Sequence, residues 1–467
     1  MTPGKTADTP DSNLMRPSPS IGEPHSERMS GNLRIVTLLL MAGFFLHFVQ
    51  LEKPEKVVFD EVHWGAFADA YCCSGEYFFD IHPPHGKLIA ALVMKLGGYQ
   101  GGQSFATIGT PLSNINPVLL RAAPAFFGSM IPVLVFIVLS QLGVSRWGAF
   151  LGGWAALWDN ALLLQTRILA LDGTLVFSIL TATALALLAV RQTDATRQRA
   201  CAILAGLFVG FAAGVKLTGL AAAIPVAVVL LASKGRDGYW KHLVALYVCV
   251  GFAALLVYLS GWFLHFTLLD QPGPGDIWGK PSANVVTATI EIHRSILQAN
   301  FGLQATHPSS SEWWSWPWMW RPIYYFAASG SQIYFVGNPV VWWGTSIGLI
   351  AAMITTASRA ARWRSLPAYR GSVPLKILVP AAGFLISYIP YIFIPRIMFL
   401  YHYLPALVFA IIGVAAVLDS SGWTRPGGLS NQPARFYALL CVIPLGFVVI
   451  SPLTFGLDWW TLPAILK

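Results

Sequence analysis

Residues Phe59 to Lys87 read FDEVHWGAFADAYCCSGEYFFDIHPPHGK. They hold five carboxylates, three histidines and a lysine, in a chain of which only 11% of residues are charged. Asp60 and Glu61 are neighbours, and pairing of like charges is one way to poise a general base near neutral pH. The same two side chains also read as solvated charge at headgroup level. His63, Trp64 and Phe67 follow at i+3 and i+4 spacing, which predicts a short helix with one aromatic face. In DIHPPHGK, Pro83 and Pro84 fix an extended turn that a helix interior does not tolerate. Asp80, His82, His85 and Lys87 are therefore expected on a rigid loop. From Lys87 onward, KLIAALVMKLGGY reads as an amphipathic helix lying on a membrane surface. Lys87 is then either a snorkelling anchor or a binder of anionic headgroups.

Further charges lie beside apolar runs, where a central charge costs about 2.5–3.5 kcal/mol on insertion scales and marks a functional candidate. These are Arg121, then Arg167 and Asp172 in QTRILALDGTL, and Lys216 in GVKLTG. Interfacial snorkelling is the bland account of each. Gathered on one plane with Asp60, three such cations could hold a phosphate. A second polar stretch, QATHPSSSEWWSWPWMWRPIYYF, carries His307, Glu312 and Arg321 among tryptophans that form an aromatic belt or a sugar platform. His402 in FLYHYLPALVFA sits at the same level and reads as structural. Cys201, Cys249 and Cys441 lie in apolar runs. Cys72 and Cys73 are adjacent and are expected as two free thiols, because a bond between neighbours is strained.

The elements that position these residues are membrane helices. Of 467 residues 55% are hydrophobic, whereas a soluble domain carries about 25% charge. Eleven apolar stretches approach the ~20 residues of a spanning helix: Arg34–Leu51, Val118–Leu142, Trp147–Trp158, Gly173–Val190, Ala200–Val215, Thr218–Ala232, Leu243–Phe266, Phe335–Ala357, Leu375–Ile394, Met398–Leu418 and Phe436–Thr454. Residues 1–32 read as a disordered cytoplasmic tail, followed by an uncleaved signal anchor. With that tail inside, roughly 18 Lys and Arg fall in cytoplasmic loops and about 12 outside, as the positive-inside rule asks. Residues 33–266 then form an N-terminal membrane module with a long outside loop, 52–117. A second outside loop spans 267–334, and 335–467 form a C-terminal module. The net charge of +9 is spread over short loops, which excludes a nucleic-acid partner. With only short cytoplasmic loops, chemistry belongs on the outer face, on a substrate delivered by a lipid. A transporter would also explain many spans, but not two long aromatic loops on one face.

The opening stretch resembles the first outside loop of the protein O-mannosyltransferases, with their FDEVHFG…YFFDVHPPLGK signature. The resemblance continues in order through LRAAPAFFGS, QTRILALDG, GVKLTG, HPSSSEWWSWPWMWRP and YHYLPAL. It implies an all-α integral membrane protein with the GT-C glycosyltransferase fold. It further implies inverting transfer of mannose from a polyprenyl phosphate mannose to Ser or Thr hydroxyls of exported proteins. Carried over by position, Asp60 is the catalytic base, Glu61 its partner, and Arg121 the residue that meets the lipid phosphate. His82, Lys87, Arg167, Asp172, Lys216 and His307 are substrate-binding candidates. No cofactor and no metal ligand set is implied. The partners would be the lipid-linked sugar, an exported polypeptide, membrane lipid and the export machinery, at a bacterial inner membrane. His85 replaces the family leucine, and the loop 267–334 is too short for the β-trefoil MIR domain. An acceptor on an envelope glycan or lipid is the alternative.

Overall fold

The computed structural model describes residues 25–232, 239–273, 284–302, 305–328, 330–363, 374–424 and 432–457. The expected tail falls outside them up to residue 24, and its last part is helical, because α1 (His25–Phe48) already starts at His25. The first long loop carries α2 (Glu61–Asp69), a π-helical turn (Ala70–Ser74) and α3 (His85–Leu96). Then come α4 (Pro117–Gln141), α5 (Arg146–Leu157), α6 (Asn160–Arg167), α7 (Asp172–Ala189), α8 (Ala195–Val215), α9 (Ala223–Leu231) and α10 (Tyr239–Leu268). The second loop holds α11 (Val285–Gly302) and a hairpin of β1 (Ile323–Ala328) and β2 (Ser331–Phe335). Helices α12 (Pro339–Trp363), α13 (Leu375–Tyr388), α14 (Leu404–Ser420) and α15 (Gln432–Phe455) complete the chain.

Each of the eleven apolar stretches is helical, and eight helices among the described residues are long and apolar enough to cross a membrane. Leu217–Leu231 and Pro339–Ile354 are shorter apolar helices. The chain is a multi-pass membrane protein. Helices α4, α7 and α14 are buried on most sides, while α1 and α10 turn Met41, Phe45, Phe252 and Leu255 outward. An apolar exterior on helices whose backbone bonds are all internal is what a bilayer requires.

The stretch expected at Trp147–Trp158 is α5, and a continuation of that span to Leu164 is interrupted: a second helix, α6, starts after a break at Trp158–Asp159. The Asp159 carboxylate causes the break. It caps α6 through Leu162 N (2.9 Å) and also accepts from Asn338 N (3.1 Å) and Trp342 Nε1 (2.9 Å) at the head of α12. Asn338 Nδ2 returns bonds to the Trp158 and Ile443 carbonyls, both 2.8 Å. A buried backbone break needs such partners, and here they tie the N-terminal helices to α12 and α15.

The hairpin is an addition to the all-helical expectation. Tyr and Phe suit a pleated, half-buried surface, and the strands pair antiparallel from Ile323↔Phe335 to Ala328↔Ser331, with a bulge at Tyr324/Phe326. The two loops are joined directly: Tyr77 N donates to Gln271 O (2.8 Å) and Asp270 N to Gly75 O (2.9 Å).

Candidate active site

Asp60 stands at the N-cap position of α2, yet its side chain makes no capping bond. Its carbonyl accepts from His63 N and Trp64 N, both 2.9 Å. The carboxylate thus has no capping duty at the positive end of the helix, and the Trp64 side chain donates to it. Phe59, just before it, has φ +45°, a left-handed conformation costly for a bulky residue. The structure holds it there from the hairpin. Phe59 N donates to Tyr325 O (3.1 Å), and the two rings stack at 4.0 Å and 6°. The second loop therefore fixes the direction in which the first presents Asp60. Burial raises the Asp60 pKa to about 7; the nearby Lys216 charge opposes the rise, and Asp172 and Asp80 add to it.

Glu61 and Arg121 do not take the roles the resemblance implied. Both are sealed off, at 0% and 1% exposure. Arg121 Nε and Nη2 grip the Glu61 oxygens at 2.8 and 3.0 Å. The remaining donors reach the carbonyls of Leu51 (3.1 Å), Pro54 (3.1 Å) and Lys56 (3.0 Å). All five N–H groups of a guanidinium are then used, and none is left for a phosphate. Glu61 also accepts from Val58 N (2.9 Å) and Leu169 N (3.1 Å). Its oxygens are filled, so it cannot take a proton from a substrate. The pair is a clamp that fastens the first loop to α4 and to the residues after α6.

Lys87 is also corrected. It neither snorkels nor faces headgroups: it is 2% exposed, paired with Asp80, and donates to the His82 carbonyl at 2.8 Å. Its ammonium lies over the rings of Phe67 (5.5 Å) and Phe78 (5.6 Å). The lysine holds the double-proline turn in place. Arg167 donates to the Leu46, His47 and Gln50 carbonyls (2.7, 2.9 and 3.1 Å), satisfying the end of α1 rather than a ligand. His85 fills a slot between α8 and α10. Its Nε2 donates to Val257 O (2.8 Å), and a Cβ at Gly214 or Gly261 would come within 2.1 or 2.2 Å of its ring. His307 is exposed, and its contacts are with Phe399 and Ser309 rather than with Asp60.

Asp172 and Lys216, two of the charges expected near Asp60, lie within its electrostatic reach. Lys216 Nζ donates to Asp172 Oδ1 (2.7 Å), and Gln165 Nε2 to Asp172 Oδ2 (2.8 Å). Tyr325 OH donates to Gln165 Oε1. Lys216 also lies over the Tyr401 ring at 5.2 Å. His82 is held neutral by burial, with Lys216, Arg396 and Lys87 adding to the effect.

Arg396 was not singled out from the sequence. It lines a cavity of about 1080 Å³ with Ser311, Glu312, Trp314, Trp320 and Arg321. Its buried Nε has no hydrogen-bond partner among the described residues. Tyr401 lies within electrostatic reach of both Asp60 and Arg396. The chain spacing P-R between two apolar runs gave no signal that this cation turns inward. Among the described residues, Asp69, Cys72 and Cys73 alone have ligand atoms within 4.8 Å of one another as a metal site would need. The two cysteines are in fact bonded to each other. The expectation of free thiols assumed ordinary backbone, whereas the pair sits in a π-helical turn closed by left-handed Gly75.

Residues 37–270 match the family model described as dolichyl-phosphate-mannose-protein mannosyltransferase. Residues 285–464 match the C-terminal four-span region of protein O-mannosyltransferase. A dolichyl-phosphate-mannose–protein mannosyltransferase 4 of Schizosaccharomyces pombe is 30% identical over 58% of this chain and 38% of its own length. A protein O-mannosyltransferase 1 of Drosophila melanogaster is 33% identical over 54% of this chain and 30% of its own. The chain thus spans about a third of the length of these relatives. In structure it is similar to the Saccharomyces cerevisiae Pmt1–Pmt2 complex bound to its sugar donor, with TM-score 0.81 and 18% identity over 96% of this chain and 94% of that one. ArnT of Cupriavidus metallidurans bound to undecaprenyl phosphate follows at TM-score 0.51 and 12% identity, over 92% and 73%. The fold is GT-C.

Proposed function

The chain belongs to the protein O-mannosyltransferase family, and on that premise we propose that it transfers mannose from a polyprenyl phosphate to Ser or Thr hydroxyls of exported polypeptides, with inversion. The observation that carries this reading is Asp60: a carboxyl at a helix start, with no capping duty, within electrostatic reach of Lys216 and Asp172. The acceptor hydroxyl attacks the anomeric carbon in line as the polyprenyl phosphate leaves from the opposite side. Asp60 takes the hydroxyl proton, a contribution of about 10²–10⁴ in rate. Arg396 meets the charge growing on the leaving phosphate, the role that Arg121 cannot fill. Lys216, fixed by Asp172, lies within electrostatic reach of both Asp60 and neutral His82. The leaving group is a stabilised anion, so these steps call on no metal. The loops carrying the site face the outside of a plasma membrane in this reading, where an exported chain passes.

The test is transfer of labelled mannose from polyprenyl phosphate mannose to a Ser/Thr-rich peptide in purified membranes. Product on an envelope glycan or lipid, and none on peptide, would replace the polypeptide acceptor. The pH profile is a second readout. A base with a pKa of about 7 is active when deprotonated, so transfer should rise with pH through that value and fall about tenfold per unit below it. A flat profile would remove Asp60 from the role. Arg396→Ala should raise the donor KM by about 10- to 150-fold, the scale of one charge-assisted bond of roughly 1.5–3 kcal/mol. Arg396→Lys should recover part of that. Unchanged donor KM in both variants would place the phosphate elsewhere.

A further inference from the structure

The Cys72–Cys73 disulfide lies to one side of the residues around Asp60, and the proposed reaction does not use it. The two cysteines are one residue apart. In the chain-entropy account a cross-link stabilises a fold by closing a loop in the unfolded chain, more so for longer loops. A bond between neighbours closes almost none, so it is not a global staple. It fixes the turn that contains it.

That turn is a junction. On one side, Tyr71 pairs with His265 of α10 (OH to Nδ1, 2.7 Å), and its ring meets Phe78 edge-on at 5.2 Å. Phe78 stacks on Phe67 at 4.2 Å and lies beneath Lys87, which holds Asp80 and the His82 carbonyl. On the other side the turn ends at Gly75, with φ +71°. The Gly75 carbonyl accepts from Asp270 N (2.9 Å) and Gln271 N (3.0 Å), and Tyr77 N donates back to Gln271 O (2.8 Å). Gly101 packs behind Cys73, where a Cβ would come within 3.0 Å of the Cys73 Cβ. Both cysteines are only half-buried, so a reductant can reach them.

We infer that Cys72–Cys73 is a thiol–disulfide exchange site whose oxidation state sets how firmly the first loop docks onto the segment after α10. Through Phe78 and Lys87 it also sets how well Asp80 and His82 are held, and this second half rests on the catalytic reading above. The co-reactant is a dithiol. One of its thiolates attacks a cysteine sulfur to give a mixed disulfide, and the second displaces the cysteine. Two electrons and two protons pass to the cystine, leaving two thiols here and a disulfide on the reductant. Once apart, the sulfurs no longer pin the turn, and the Gly75–Gln271 bonds lose their fixed base.

The experiment uses the full chain in lipid nanodiscs, with and without dithiothreitol, read by alkylation and mass spectrometry, hydrogen exchange and mannosyl transfer. Before reduction the peptide holding Cys72 and Cys73 should resist alkylation; afterwards it should take two groups. Exchange at Tyr77, Asp270 and Gln271 should then rise by about tenfold, as for a local opening, with the melting temperature nearly unchanged. Transfer should fall severalfold and return on reoxidation. A Cys72→Ser/Cys73→Ser double variant should match the reduced form and ignore the reductant, which controls for the other cysteines. Full alkylation without reductant, or unchanged exchange after reduction, overturns the inference. Changed exchange with normal transfer overturns its second half. Changed exchange with no transfer in either form keeps the docking site and rejects the catalytic reading.

Discussion

Asp60→Asn is expected to lower mannosyl transfer by about 10²–10⁴-fold, the contribution of a general base, while the protein stays folded and inserted. The side chain makes no capping bond, and the Trp64 side chain that donates to it can donate equally to the oxygen of an amide of the same shape. The sign of the stability change follows from the raised pKa of about 7. A carboxyl that is harder to ionise in the folded chain costs stability as pH rises above its unfolded value. Asparagine removes that cost, so the variant should melt no lower than the parent at neutral pH. Its residual activity should also lose the rise with pH. The measurement is turnover in detergent beside a melting curve. Near-parental turnover would end the assignment of Asp60. Loss of turnover with loss of folded protein would show instead that the carboxylate is structural.

Arg121→Ala should fail earlier, at the level of the folded protein. It leaves the Glu61 carboxylate at 0% exposure without its cation, and three carbonyls without their donor. Breaking a buried pair from one side costs about 3–5 kcal/mol, a large share of the 5–15 kcal/mol that holds a domain. Arg121→Lys should fall between, since one ammonium cannot serve both Glu61 oxygens and three carbonyls. The diagnostic variant is the double replacement Glu61→Gln with Arg121→Met. It removes both charges and should be less damaging than Arg121→Ala alone, a coupling that a double-mutant cycle measures. Membrane abundance and thermal aggregation are the readouts. A stable, abundant Arg121→Ala protein with a raised donor KM would restore the phosphate role to Arg121.

The contrast between Asp60 and Arg121 shows what the sequence could tell. The apolar stretches were legible because bilayer thickness fixes their length, and the helix at His63, Trp64 and Phe67 because side-chain spacing reports it. Asp60 was legible through its neighbours in one continuous motif. Arg121 was legible as a buried charge, but not as the partner of Glu61, 60 residues away. Pairing across such a distance depends on how helices pack, which no local pattern encodes. Lys87 was misread for the same reason: amphipathic spacing placed α3 correctly, but burial of its first turn under the loop reversed the direction of the lysine. Arg396 and Asp159 went unread because each is a single charge at an apolar boundary, where snorkelling and function look alike.

The broken helix at Asp159 also bears on how the protein is made. Its carboxylate is held by Asn338, 179 residues further along the chain. At about 5–20 residues per second, synthesis takes roughly 10 to 35 s to supply that partner. During that interval α5 and α6 are in place with half their polar anchor absent. Arrival of the α12 segment is the event that completes the break, because Asn338 N and Trp342 Nε1 supply two of the donors to that carboxylate. A ribosome pause or a premature stop between the two would leave a chain whose Asp159 carboxylate keeps its bond from Leu162 N at the α5–α6 break but lacks those two donors.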